Sequence, residues 1–146
     1  MPRAPAVTGH EYRSLADVRH AIRQFLAFSE AAARKAGVEP QQHQLLLAIR
    51  GLPEGARADV TTLAERLQVR HHSAVELIGR AEAAGFVARA ADPADARRVI
   101  VRLTRRGGSV LERLSRRHRA KIASLSRRLD AALRTLVRPE ARRLDG

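Results

Sequence analysis

In this 146-residue chain the apolar residues recur at steps of three and four almost throughout, and only after Gly85 does the step shorten to two. A step of three to four lines one face of an α-helix, whereas a step of two lines one face of a strand. The pattern therefore predicts a mainly α protein interrupted by one small β element. Residues 1–11 carry two Pro, one Gly and no apolar period, and are expected to form a mobile tail. From Tyr12 to Ala36 the stripe Leu15, Val18, Ile22, Phe25, Ser29, Ala33 and Ala36 predicts a long helix closed by Gly37. Pro40 suits the first turn of a second helix, which Leu45, Leu46, Leu47 and Ile49 nearly encircle and Gly51 ends.

Residues 51–59 read as a loop by their Gly and Pro. Thr62 followed by Glu65 has the spacing of a capping box, predicting a short helix with Leu63, Ala64 and Leu67 inward. Residues 68–70 then separate it from a helix whose inner face is Ala74, Leu77, Ile78 and Ala81. A short helix, a tight turn and a second helix make a helix-turn-helix. Phe86–Ala90 and the alternating Val99, Val101 and Leu103 predict two strands joined by the charged turn DPADARR, which together form a hairpin. Thr104 is placed to cap a last helix with Leu111, Leu114, His118, Ile122, Leu125, Leu129, Leu133 and Leu136 on one seam, stopped or kinked by Pro139. The seams of the first and last helices are longer than a compact middle needs to cover, which predicts a homodimer.

Lys+Arg number 28 against 15 Asp+Glu, a net charge of +13 that favours a polyanionic partner. The skew of 26 Arg to two Lys can follow codon composition, so it adds little to that inference. The absence of cysteine excludes a disulfide framework, a cysteine nucleophile, a thiol redox sensor and a Cys-ligated zinc site. The longest apolar run, residues 45–49, is far short of a membrane span, and the N-terminus lacks the apolar core of a signal peptide. A cytoplasmic protein without a membrane partner is expected. Four aromatic residues are too few for a base-stacking platform, which leaves double-stranded DNA as the favoured nucleic acid. No phosphate-cradling loop, metalloprotease helix, dinucleotide turn or nucleophile elbow occurs, so neither an enzyme nor a cofactor is expected. His71 and His72 are adjacent and point to different helix faces, a poor basis for a metal site.

Four pieces follow one another over residues 63–107: the helix LAERL, the run RAEAAGFV, the turn pattern Asp95-x-Arg97-Arg98, and the junction Leu103-Thr104-x-x-Gly107. In this order and spacing they resemble the winged helix of the MarR (multiple-antibiotic-resistance regulator) family of bacterial transcription factors. The resemblance implies a winged helix-turn-helix over residues 51–104, flanked by dimerisation and support helices at 12–50 and C-terminal dimerisation helices at 105–146. It further implies a homodimer in which the second helix of each motif enters a major groove and each wing reaches a minor groove.

The residues agree with that picture on physical grounds. Arg70, His71, His72, Ser73 and Glu76 are short or polar groups at the start of the second helix, able to reach base edges or phosphates. Thr62 and Arg80 complete the expected contacts of the motif. On the wing, Arg97 is expected to enter the minor groove, oriented by Asp95 through a charge-assisted hydrogen bond, with Arg98 either contacting phosphate or being itself the oriented partner. Glu76 is a departure, since a carboxylate either specifies a base or penalises binding. Members of the family respond to small, often aromatic or anionic effectors, for which Arg13, His20, His43, Arg50 and His118 are the polar candidates here.

The expected function is a sequence-specific transcriptional repressor acting on a pseudo-palindromic operator, with release by a small ligand. A nonspecific architectural DNA-binding protein remains an alternative, because residues 105–143 carry thirteen basic and three acidic residues while residues 59–104 carry seven and six. A protein-interaction module with a degenerate helix-turn-helix is the other.

Overall fold

The computed structural model describes Met1 and residues 4–137. Its elements run α1 (Gly9–Lys35), α2 (Pro40–Arg50), α3 (Val60–Leu67), α4 (His71–Ala83), β1 (Val87–Ala91), β2 (Val99–Leu103) and α5 (Arg105–Val137). β1 and β2 pair antiparallel in a register that sets Val87 opposite Leu103 and Ala91 opposite Val99. The architecture is the mainly helical one with a hairpin wing that the change of period predicts. The stop expected at Pro139 lies outside the described residues.

Three boundaries differ from expectation, each for a local reason. Helix α1 starts at Gly9 and takes in the end of the expected tail. Thr8 N–H donates to Glu11 Oε2 at 2.7 Å and Glu11 N–H donates to Thr8 Oγ1 at 3.2 Å, a reciprocal cap that satisfies two otherwise unpaired donors. Helix α3 is capped by Asp59, whose Oδ1 accepts the Thr62 N–H at 2.8 Å, so Thr62 lies inside the helix and does not cap it. The first strand begins at Val87 because the Phe86 N–H still bonds back to the Ala81 carbonyl at 3.0 Å, which keeps Phe86 in the turn that ends α4.

The chain forms two compact units, divided within α1 and α5. The unit Glu30–Arg116 holds the helix-turn-helix and the wing around a core of Leu45, Leu46, Leu63, Ile78, Val87 and Leu114. The four inner residues expected of α4 are all buried. Helix α2 is covered less completely than its composition predicts, since Leu47 is exposed beside the buried Leu45 and Leu46. The other unit contains the residues up to Ser29 and those from Arg117 onward. In it, Ser14, Ala21, His118 and Ala132 are buried, whereas Tyr12, Leu15, Ile22, Leu26, Ile122, Leu133 and Val137 face outward. No helix among the described residues is long and apolar enough to cross a membrane.

Candidate nucleic-acid interface

The tight turn between α3 and α4 is made by Gln68, a non-glycine residue in the left-handed region at φ 53 and ψ 44. The amides of Gln68 and Val69 bond back to the carbonyls of Glu65 and Ala64, closing α3 in a helix-terminating turn. With Ala74, Leu77, Ile78 and Ala81 turned to the core, the helical period brings His72, Glu76 and Gly79 to the centre of the opposite face. Arg70, His71 and His72 are exposed at the start of this helix, and Ser73 is half-buried. Thr62 is half-buried in α3. Arg80 is exposed but engaged: its Nε lies 3.4 Å from Glu39 Oε2, and its Nη2 donates to Gln41 Oε1 at 3.3 Å.

The wing tip is ordered by its own carboxylates. Asp92 N–H donates to the Arg98 carbonyl at 3.0 Å, Arg98 N–H donates to the Asp95 carbonyl at 2.9 Å, and Asp92 Oδ1 accepts the Ala94 N–H at 2.9 Å. Asp95 Oδ1 accepts both the Arg97 backbone N–H at 3.1 Å and the Arg97 Nε–H at 3.2 Å. Arg98 Nε lies 3.7 Å from the other oxygen of Asp95. The hydrogen bonds from the Arg97 backbone and side chain hold the Asp95 carboxyl below the usual carboxylate range, with the positive charge of Arg98 adding to them. The Arg97 side chain is nonetheless 91% exposed, so its guanidinium is oriented without being covered. A loop residue braces the wing from the side: Arg57 Nε lies 3.2 Å from Asp92 Oδ2, and the neighbouring Ala58 carbonyl accepts the Val101 N–H at 2.8 Å.

The base of the wing is locked to the start of α5. Thr104 Oγ1 donates to the Gly85 carbonyl at 2.6 Å and accepts the Gly107 N–H at 3.0 Å, so one hydroxyl caps the helix and ties it to the preceding turn. Residues 36–98 match the MarR family. Over those residues the winged helix is similar to that family. None of the curated proteins compared matches the chain. Among solved structures, the chain resembles the MarR-family regulator AbsC from Streptomyces coelicolor, with 20% identity, a TM-score of 0.63, and 94% of this chain and 87% of that one covered. It also resembles CouR from Rhodococcus jostii, solved with p-coumaroyl-CoA, at 18% identity and a TM-score of 0.62 over 84% of this chain and 90% of that one. A third is a mutant of MepR from S. aureus, solved with an oligodeoxyribonucleotide, at 17% identity and a TM-score of 0.60 over 90% of this chain and 96% of that one.

Beyond the MarR-family motif, the expected effector residues are scattered. Arg13 and His20 are exposed on α1. His118 is buried against Ser29, with 2.8 Å between its Nε2 and the Ser29 Oγ, and meets the rings of Phe25 and Phe28 edge-on at 5.7 and 5.4 Å. His43 is buried in α2. Of the five, Arg50 alone lines a groove of about 670 Å³, together with Leu47, Arg105, Ser109, Glu112 and Ser115. Sequence reasoning missed Val75, 37% exposed on α4. Its signal was present, because Val75 falls off the stripe that Ala74, Leu77, Ile78 and Ala81 define. The bracing role of Arg57 carried no such signal, being set by a partner 35 residues away in the chain.

Proposed function

We propose that this chain is a sequence-specific DNA-binding transcriptional regulator of the cytoplasm, a binding protein and not an enzyme. It acts as a homodimer on a pseudo-palindromic operator and represses by occluding a promoter. The observation that carries this reading is the guanidinium of Arg97, held by Asp95 at the tip of a thin hairpin yet open to solvent. It belongs to the same compact unit as the exposed face of α4. A guanidinium on a narrow support suits the electronegative minor groove, and an exposed polar helix face suits the major groove. Arg70, His71, His72 and Ser73 are then contacts to bases or phosphates. Thr62 acts from α3, and Arg98 supplies a phosphate contact beside the wing. The ion pair of Arg80 with Glu39 gives that residue a bracing part as well.

Dimerisation through the terminal helices, expected within 12–50 and 105–146, is supported by the apolar side chains that one chain leaves outward. An apolar groove of about 250 Å³ between Ala21, Ile22, Phe25, Ile122, Leu125 and Leu129 is part of that surface. Contiguous apolar surface of this kind is stabilised by a partner chain. Release by a small aromatic or anionic effector is supported by the groove at Arg50 and Arg105, which sets two guanidinium-bearing side chains beside the exposed Leu47. CouR was solved with an aromatic acyl-CoA, which combines those two chemistries.

The test is selection from a randomised duplex pool at about 150 mM salt, where purely electrostatic binding is weakened. A two-fold-symmetric motif is the expected result. Unenriched sequence with steeply salt-sensitive binding would overturn the reading in favour of an architectural protein that coats DNA through the basic α5.

A further inference from the structure

Glu76 occupies an electrostatically adverse position. It is exposed at the centre of the α4 face opposite the buried Ala74, Leu77, Ile78 and Ala81, one turn beyond His72. Its natural partner along the helix is Arg80, because a Glu four residues ahead of an Arg forms a favourable surface pair. The fold directs Arg80 elsewhere, to Glu39 Oε2 at 3.4 Å and Gln41 Oε1 at 3.3 Å at the start of α2. Glu39, Glu82, Asp92 and Asp95 each pair with an arginine, whereas Glu76 has no ion pair or side-chain hydrogen bond among the described residues.

A bare carboxylate facing a phosphate-lined groove is repelled by the same field that draws arginine in. It gains only by accepting a hydrogen bond from a base edge, and the major groove offers two such donors, cytosine N4 and adenine N6. Adenine sets its N7 lone pair beside N6, which opposes a side chain able only to accept. Cytosine presents no acceptor of its own next to N4, so it suits a carboxylate better.

We propose that Glu76 is a specificity-determining residue that reads one cytosine in each operator half-site, and that the ties of Arg80 to α2 keep its guanidinium from cancelling the carboxylate. This rests on the chain being a sequence-specific DNA-binding protein. The experiment uses the full chain as wild type, Glu76→Ala and Glu76→Gln, each selected on randomised duplex and then titrated against the selected site with single base-pair changes. Circular dichroism confirms that both variants, altered at an exposed position, keep their helices.

Wild type is expected to show one C·G pair per half-site whose replacement weakens binding about fivefold or more. Glu76→Ala flattens the preference at that pair while the other positions hold. Glu76→Gln, which both donates and accepts, moves the preference there to adenine. The assignment is overturned if both variants keep the wild-type preference. It is equally overturned if Glu76→Ala tightens binding to every sequence alike, which would make the carboxylate a brake on phosphate contact. A wild type that enriches no motif refutes the operator reading itself, and the assignment with it.

Discussion

Gly107 and Gly108 are neighbours in the first turns of α5, and the structure predicts opposite outcomes for replacing each by alanine. A Cβ at Gly107 would sit 2.0 Å from the carbonyl oxygen of Phe86 and 2.9 Å from its carbon. Ordinary carbon–oxygen contact needs about 3.3 Å, so the start of α5 must shift by more than about 1 Å. That shift strains the Thr104 N–H bond to the Phe86 carbonyl at 3.0 Å and the Thr104 Oγ1 bond to the Gly85 carbonyl at 2.6 Å. Two such bonds contribute about 1–3 kcal/mol, and forced overpacking costs about 1–3 more. Alanine returns at most about 1 kcal/mol of helix propensity, so the net loss is about 3 kcal/mol. At Gly108 the nearest neighbour of a new Cβ is Arg50 Nη2 at 3.2 Å, the end of a flexible side chain that can swing aside. There the propensity term wins, and Gly108→Ala should stabilise by about 0.5–1 kcal/mol. Urea denaturation followed by far-UV circular dichroism at one fixed protein concentration compares the two. Equal stabilities, or a tolerated Gly107→Ala, would refute the close approach of α5 to Phe86 as the reason for that glycine.

Three further outcomes are expected. Arg97→Ala should weaken binding to the selected operator by about 1–3 kcal/mol in fluorescence anisotropy at fixed salt, and unchanged affinity and base preference would remove the wing from the interface. Asp59→Ala removes the α3 cap and should cost about 1 kcal/mol near neutrality. The Thr62 backbone hydrogen bond lowers the folded-state pKa of Asp59 below 3.8, so its stabilisation is present above that value and lost as pH falls through the lowered one. The difference between wild type and variant should therefore shrink in acid, where only the weaker bond to a neutral carboxyl remains, and a gap as large in acid as near neutrality would contradict an ionised cap. Ile22 and Ile122 are 50% and 52% exposed in one chain. If the chain dimerises through its terminal helices as proposed, wild type should sediment as a dimer and Ile22→Asp as a monomer, and a dimeric Ile22→Asp would place the interface elsewhere.

Much of the winged-helix half was legible from the chain alone because its signals are local. The switch of period after Gly85, the inner face of α4, the capping Thr104 and the Asp95–Arg97 pair all depend on residues within one or two turns of each other. The start of α1 was also written locally, in Thr8 and Glu11, though the absence of an apolar period concealed it. At the start of α3 the spacing of Thr62 and Glu65 pointed to the wrong cap, because the backbone path out of the loop gives that place to Asp59.

Partners distant in sequence were invisible. Arg80 had Glu76 four residues before it and found Glu39 and Gln41 instead, and Arg57 found Asp92. Covering Leu45 and Leu46 while exposing Leu47, and turning Ile22 and Ile122 outward, were likewise settled by which helices pack where. Helical and strand periods are properties of short stretches, so the sequence by itself determined the order of elements and the chemistry carried on the wing. Choosing among several charges of equal merit, or among several apolar faces, depends on distances that exist only once the chain has folded, and so the tertiary structure alone decided that Glu76 stands unpaired.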